Sequence, residues 1–505
     1  MRRRGLGNVA GMQQECSGDV AGMYRGRYDA EMSSYDRLSS LDASFLHLES
    51  LETPMHVGAV STFEGESFFD STGRFQLAAA RKLVASRLHL IPRFRKILKS
   101  VPLNQGRPIW VDDPRFDIAY HVRLTALPSP GTREQLMTLT ARVQSQLLDR
   151  SRPLWELWFV EGLEEGRVAL IQKTHHALVD GVSGVDVATV LLDFQPEPAF
   201  RPPPRWIVEP PPAELRLLAD SVWERATEPA EIVRSLRAGL RGPSNALENT
   251  TRIARSVSSL FGTDALAPHT SLNALVGRNR LFDGVTISFD DVHRVRQAFG
   301  GTINDVILAG VSGGLRDLLE ARGEPIDGMT LKAFCPVSVR DDAERMQLGN
   351  RVSAMFVPLP VGLPDPVERL EAVRDATFDL KEREQAVGAS FLLDLTHYAA
   401  PTLLGLGARL AHRQPFFNLV VTNVPGPQVP LYCMGGRMLE AFPVVPLTKN
   451  LSIGIAILSY CGNLHIGLFV DRDTFPDLPV LSSALENSFG ELLKRAEEQL
   501  GEPGR

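Results

Sequence analysis

The chain has 505 residues, of which 44% are hydrophobic and 23% charged, and its formal net charge is -6 at pH 7. This composition is that of an ordinary globular protein, and at about 100 to 200 residues per domain the length indicates two or three domains. A nucleic-acid-binding protein would need a basic domain or stripe, so the charge balance argues against a nucleic acid partner.

The cysteines and the apolar segments narrow the class of protein further. The 4 cysteines are scattered and form no CxxC pair, a spacing that fits neither a zinc site nor a disulfide framework. No metal is therefore expected, and a reducing cytoplasm is the expected compartment. No apolar stretch reaches the ~18 residues of a transmembrane helix. A polar stretch follows Met1–Arg4, so no secretory signal is expected, and residues 1–34 are predicted to be a disordered tail.

Residues 35–195 alternate strand-like and helical segments and are predicted to form an N-terminal lobe. The predicted strands are Val57–Phe63 and Val168–Gln172, and the predicted helices are Leu77–Leu90, Thr132–Leu148 and Ser183–Leu192. The helix assignments depend on apolar residues spaced three and four apart, the period of one helical face.

An HHxxxDG cluster follows the second of these strands, with His175, His176, Asp180 and Gly181 at its defined positions. A histidine held at such a strand-to-helix corner can accept a proton and return it later, which suits acyl transfer. Asp180 lies four residues after His176 and is expected to fix the loop, and Gly181 permits a backbone conformation that a Cβ would forbid. The alternative interpretation is a buried structural pair of histidines at a turn.

Composition changes at residue 196, and residues 196–270 are predicted to be a proline-rich linker followed by helices that cross to the next lobe. Residues 232–261 of this segment combine five arginines with apolar residues at helical spacing. Basic amphipathic helices can lie on anionic membrane surfaces. A crossover helix that packs on the protein with a solvated basic face is the favoured alternative.

Residues 271–496 alternate again and are predicted to form a C-terminal lobe, with residues 497–505 as a tail. The predicted elements are helices within Phe299–Leu319 and Leu481–Leu500 and strands at Lys332–Val339, Ala354–Val357, Asn418–Asn423, Leu451–Tyr460 and His465–Phe469. The whole pattern predicts an α/β fold of two packed lobes, each a mixed sheet with flanking helices, joined by a long helical crossover. Ligands favour the clefts between such lobes.

Six short blocks occur in an order that resembles the bacterial wax ester synthase/diacylglycerol acyltransferase family. Besides HHxxxDG, the blocks are Leu38–Glu49 with Pro54–Gly58, Pro153–Glu156, Thr302–Val306, Pro336–Arg340 and Thr422–Pro427. They extend over nearly all of the chain after the tail. The DFGWG block of plant-type acyltransferases, which share HHxxxDG, is missing from the sequence.

The resemblance implies two CoA-dependent acyltransferase-like lobes that transfer a fatty acyl group from acyl-CoA to diacylglycerol or to a fatty alcohol. It implies that His176 is the general base, with His175, Asp180 and Gly181 as structural support. No cofactor is expected, since acyl-CoA is a substrate. The implied location is the inner face of the membrane or the surface of lipid inclusions, with peripheral attachment. A non-catalytic lipid-binding protein and a condensation-type acyltransferase are the alternatives.

Three further residues are candidates for contact with substrate. Arg340 lies at a predicted strand end near the lobe junction, where it is also the expected partner of Asp180, and a surface arginine with no special partner is the alternative. Asn304 and Asp305 lie at a turn that opens a helix, so helix capping is an equally good explanation. His56 is expected to be a packed histidine beside Met55 and Val57.

Overall fold

The computed structural model describes residues 36–104, 106–178, 191–197, 202–220, 266–338, 352–386 and 415–501. The predicted tail 1–34, the basic segment 232–261 and most of the predicted helix Ser183–Leu192 lie outside the described residues. Asp180, Gly181 and Arg340 also lie outside them.

The strands in chain order are β1 (Asp36–Arg37), β2 (His56–Phe63), β3 (Lys96–Lys99), β4 (Ile109–Asp112), β5 (Val122–Ala126), β6 (Trp155–Glu161), β7 (Val168–His175), β8 (Arg280–Ser288), β9 (Leu331–Ser338), β10 (Val352–Leu359), β11 (Leu419–Pro425), β12 (Tyr432–Cys433), β13 (Gly436–Val444), β14 (Ile453–Tyr460) and β15 (Asn463–Asp471). The α-helices are α1 (Ser40–Leu48), α2 (Leu77–Arg87), α3 (Ile118–His121), α4 (Arg133–Ser145), α5 (Phe289–Phe299), α6 (Ile303–Ala321), α7 (Pro366–Ala386) and α8 (Leu478–Leu500).

Two large mixed sheets confirm the predicted α/β fold with two lobes. The first sheet has the strand order β12-β13-β2-β7-β6-β5, and the second has the order β10-β9-β11-β14-β15-β8. A small antiparallel sheet, β1-β4-β3, lies beside the first lobe. Among the described residues, no helix is both long enough and apolar enough to span a membrane.

The first sheet is completed by strands from the second half of the chain. β13 pairs antiparallel with β2, and β12 pairs with β13. The predicted lobe boundaries at 195 and 271 therefore do not coincide with the sheets, because residues 432–444 belong to the first one. β13 escaped prediction because its register shifts between Met438 and Glu440, which interrupts the alternation of buried and exposed side chains.

Most of the other predicted elements are confirmed, with small changes at their ends. The strand predicted at Val168–Gln172 continues through His175, three residues beyond its predicted end. Thr132 and Gln135 form a reciprocal capping box that starts α4. α8 begins at Leu478, three residues before the predicted helix, and ends at Leu500 as predicted, so that helix extends four residues into the segment assigned to the tail.

Arginines connect the two lobes near the carboxyl end of β7. Arg280 at the start of β8 forms a buried ion pair with Asp471, at 3.2 Å, and also donates to the backbone carbonyl of Glu52. Arg278 pairs with the Glu52 carboxylate at 3.2 Å. The loop between α1 and β2 is thereby attached to the second lobe.

Candidate active site

The two histidines of HHxxxDG occupy different backbone environments. His175 is the last residue of β7, and His176 begins a 3-10 turn, His176–Leu178. The His175 backbone N–H donates to the Leu154 carbonyl at 3.0 Å, and that of His176 donates to the Met55 carbonyl at 2.8 Å. The corner predicted from the sequence is therefore held from both neighbouring strands.

The His176 imidazole is half-buried and lies against Phe45 of α1. The two rings stack with centroids 3.9 Å apart and planes 20° from parallel. Burial lowers the pKa of His176 to about 4, so the ring is neutral at pH 7. A neutral, partly accessible imidazole is the form that accepts a proton from a hydroxyl group.

The His175 imidazole is 1% exposed and is held at both ends. Its Nδ1 accepts a hydrogen bond from the backbone N–H of Ala177 at 3.0 Å. In the neutral ring the hydrogen must therefore be on Nε2. That nitrogen lies 3.3 Å from Oε1 of Glu49, in electrostatic contact rather than aligned for a hydrogen bond.

Glu49 is a site residue to which the sequence interpretation gave no role. It follows the last helical residue of α1 as the C-cap, and its side chain is 3% exposed. Burial alone would raise the pKa of the Glu49 carboxyl group, but contacts with His175, His56 and Arg150 outweigh it and hold that pKa well below its usual range. The carboxylate is therefore ionised at neutral pH.

One signal in the sequence points to Glu49. A carboxylate at the carboxyl end of a helix is unfavourable because the helix dipole places partial negative charge there. An acid at that end of the Ser40–Leu48 segment therefore calls for a tertiary partner. Here the partners are two histidines and an arginine.

His56 is packed and buried, as expected, but it also contacts the site. It pairs across the sheet with His175, and its Nε2 lies 3.4 Å from Glu49 Oε1. Burial lowers the pKa of His56 to about 4. The imidazole is thus neutral at pH 7.

A second buried group of charges lies beside the first on the same sheet. Lys173, 1% exposed, is two residues before His175 and donates to the carbonyl of Gln146. Burial lowers the pKa of Lys173 to about 8. On the adjacent strand, Glu156 pairs with Arg123 at 3.1 Å. Among the described residues, no cluster of acidic, histidine and cysteine side chains is placed to hold a metal ion.

Asn304 and Asp305, the candidates in the second lobe, lie at the start of α6. Asp305 is 2% exposed, and its Oδ2 accepts the N–H of Thr302 at 2.8 Å while Oδ1 accepts the Thr377 hydroxyl at 2.7 Å. This is the helix-capping arrangement named as the alternative. Asn304 is half-buried, and its Oδ1 lies 3.4 Å from the Asn423 amide nitrogen that donates to it. Substrate contact by either residue stays a prediction.

Comparison with known proteins identifies the relatives of this chain. Residues 38–307 match the model of the wax ester synthase/diacylglycerol acyltransferase catalytic domain, and residues 348–493 match that family's C-terminal domain. The "probable diacylglycerol O-acyltransferase" tgs2 of Mycobacterium tuberculosis is 35% identical over 467 residues, which cover 90% of this chain and 98% of that protein.

Solved structures are similar in fold over the same extent. The wax ester synthase/diacylglycerol acyltransferase of Marinobacter aquaeolei VT8 has a TM-score of 0.63 and 28% identity, with 91% of this chain and 99% of that chain covered. The first condensation domain of the CDA synthetase has a TM-score of 0.54 at 16% identity, covering 92% and 97%, and shows the shared fold alone. The chain belongs to the wax ester synthase/diacylglycerol acyltransferase family.

Proposed function

We propose that this chain is an acyl-CoA-dependent O-acyltransferase that converts diacylglycerol to triacylglycerol, with long-chain alcohols as second acceptors, and that His176 is its general base. The observation that carries the proposal is the contrast between a neutral, partly accessible His176 and a fully buried, immobilised His175. Family membership supports the reaction class, and the names of the mycobacterial relatives favour diacylglycerol as the acceptor.

The reaction needs one base and no covalent intermediate on the protein. His176 accepts the proton of the acceptor hydroxyl while that oxygen attacks the thioester carbonyl carbon. The tetrahedral intermediate then collapses, the C–S bond breaks, and the departing CoA thiolate takes the proton back from His176. The products are the ester and CoA-SH. A positioned base of this kind contributes roughly 10²- to 10⁴-fold to the rate.

The test is acyl transfer by the purified full chain from radiolabelled palmitoyl-CoA to dioleoylglycerol or hexadecanol. We expect ester formation by the wild type and a loss of roughly 10²- to 10⁴-fold in kcat for His176→Ala. The matched control is His293→Ala, which removes an exposed histidine on α5 and should leave kcat unchanged.

Several outcomes would contradict the proposal. Equal activity of His176→Ala and the wild type would exclude His176 as the base. A folded wild type that binds acyl-CoA without turnover with either acceptor would support the lipid-binding alternative. Transfer only from a carrier-protein thioester would favour a condensation-type enzyme.

We further propose peripheral attachment to a lipid surface, since the acceptor resides there. Large apolar side chains of the proline-rich linker and of the helical residues after it are strongly exposed, with Ile207 at 75% and Leu215 at 82%. Flotation with vesicles that contain phosphatidylglycerol and diacylglycerol tests this. Replacing both residues with serine should reduce the bound fraction, and undiminished binding would exclude this segment as the contact.

A further inference from the structure

We propose that Glu49 is a positioning residue for acyl transfer, because its carboxylate fixes the orientation of His175 and of the backbone turn that presents His176. The inference rests on the proposed function, in which His176 is the base. Glu49 itself lies behind His175, and its effect on the reaction is exerted through that residue and through Met55.

The two carboxylate oxygens of Glu49 have separate partners. Oε2 accepts two hydrogen bonds from the Arg150 guanidinium, at 2.7 and 3.1 Å. Oε1 faces Nε2 of His175 at 3.3 Å and Nε2 of His56 at 3.4 Å, and it accepts the Met55 N–H at 3.3 Å. Both oxygens must therefore be acceptors.

A carboxamide cannot replace this carboxylate. If the oxygen of a glutamine faced His175, its NH₂ group would face the donors of Arg150. If the amide were turned over, the NH₂ group would face the His175 ring and the Met55 N–H. In each orientation the buried NH₂ group of the glutamine faces other hydrogen-bond donors and has no acceptor. Burying polar groups without hydrogen-bond partners is costly in free energy.

Two routes lead from Glu49 to the turn of His176. In the first, Glu49 holds the Nε2 end of His175, and the other ring nitrogen accepts the N–H of Ala177, the residue after the base. In the second, Glu49 accepts the N–H of Met55, whose carbonyl accepts the His176 N–H at 2.8 Å. The base is therefore held on both sides by one carboxylate.

The placement of Glu49 argues for a functional rather than a stabilising role. A buried ion pair seldom adds stability beyond that of apolar side chains of the same size, because both charges must be removed from water. The helix dipole of α1 adds a further penalty at this end of the helix. Orientation of the catalytic turn accounts for the carboxylate at this position.

The first measurement is steady-state kinetics of Glu49→Gln with palmitoyl-CoA and dioleoylglycerol. We expect kcat to fall roughly 10- to 100-fold, the size found for groups that orient metal-binding histidines, with little change in either KM. The matched control is Asp477→Asn, which removes a carboxylate of the second lobe that accepts two hydrogen bonds from the Arg322 guanidinium, at 2.7 and 2.5 Å. Its kcat should stay within about twofold of the wild type, because Arg322 lies in the second lobe and does not hold the turn of the base.

A double-mutant cycle separates positioning from general destabilisation. His175→Asn keeps an acceptor oxygen near the Ala177 N–H but removes the group that faces Glu49. In that background, Glu49→Gln should cause only a small further loss of kcat, through Met55, because coupled residues act non-additively. Full additivity of the two losses would overturn the inference.

The protonation site of the His175 ring in the wild type can be measured directly, and it stays informative if the Glu49 variant folds poorly. In ¹⁵N-histidine-labelled protein, the ring signals that disappear in His175→Asn belong to His175, and they should report hydrogen on Nε2. Hydrogen on Nδ1 in the wild type would overturn the inference, as would a wild-type kcat in Glu49→Gln. Retained activity of His176→Ala would instead refute the proposed function, so the two failures are distinguishable.

Discussion

The two lobes bury different kinds of side chain where helices cover their sheets. In the second lobe, strands β9, β11, β14 and β15 present a continuous apolar face to the covering helices. In the first lobe, the corresponding end of the sheet buries His56, Lys173, His175 and Glu156, with the Glu49 carboxylate against them. The proposed function places the reactive histidine in the first lobe, beside this group of buried polar side chains.

The polar end of the first sheet is costly to bury, and this cost supports the proposed site there. Moving a charged group out of water is unfavourable unless partners compensate for the lost hydration. Each buried charge here has such a partner: Arg150 for Glu49, Arg123 for Glu156 and the Gln146 carbonyl for Lys173. The arrangement holds the imidazoles of His56 and His175 in fixed orientations. It follows that variants around His175 and His176 should affect catalysis, whereas variants of the apolar core of the second lobe should affect stability alone.

The largest effect is expected when the two lobes are separated. A fragment that ends after Glu197 lacks β13, the strand that pairs with β2. In the fragment, β2 therefore becomes an unpaired edge strand of the first sheet. We expect no acyl transfer and aggregation in size-exclusion chromatography. Addition of the remaining chain should restore some activity. A monomeric, fully active fragment would show that the first lobe is independent.

Replacing a core phenylalanine of the second lobe with alanine should lower the stability of the protein and leave its kcat unchanged. Phe489 on α8 is 5% exposed and packs against α6 at Gly310, where a Cβ would come within 2.4 Å of its ring. Phe489→Ala should lower the free energy of unfolding by about 3 to 5 kcal/mol in urea titrations. The kcat of the folded fraction at 25 °C should be unchanged. A large loss of kcat would contradict the division between the lobes.

Acidification should destabilise both lobes through their buried histidines. Burial lowers the pKa of His56, His121 and His465 to about 4. Since the unfolded chain binds these protons near pH 6.5, stability is complete above that pH and falls as the pH drops towards 4. Between pH 7 and 6 the three histidines together should cost about 2 kcal/mol. Thermal unfolding at several pH values measures this, and His121→Phe should weaken the dependence.

The smallest effect is expected at Phe45, whose ring stacks on His176, the proposed base. Phe45→Leu keeps an apolar contact with His176 but removes a stack worth about 0.5 to 1.5 kcal/mol. If that energy orients the base, kcat should fall about 2- to 12-fold. The control is Phe289→Leu, which removes the ring beside His293 in the second lobe and should leave kcat unchanged. Equal effects of both substitutions would show that the Phe45 stack has no catalytic role.

The sequence was sufficient for features that depend on neighbouring residues. Apolar periodicity predicted β2, β7 and α4, and the HHxxxDG cluster predicted a corner at the end of a strand. These patterns arise because a strand or helix must bury one face, whatever it packs against. An apolar pattern is interrupted by the first buried polar residue. The predicted β7 therefore ended before Lys173, although the strand continues to His175.

The features that escaped prediction depend on residues far apart in the chain. Glu49 meets His175 only when α1 ends beside β7, which is over a hundred residues later in the sequence, so its proposed role depends on this distant contact. The pairing of β13 with β2 spans an even longer separation and carries a bulge. No local period encodes such contacts. Only the unfavourable acid at the end of α1 left a local signal.

The position of β13 also has a consequence for folding during synthesis. β7 is complete at His175, but β13 begins at Gly436, roughly 260 residues later. At about 5 to 20 residues per second, tens of seconds pass before the ribosome supplies the missing neighbour of β2. During that interval the nascent first lobe exposes an unpaired strand, so we expect expression of this protein to depend on chaperones that shield such edges.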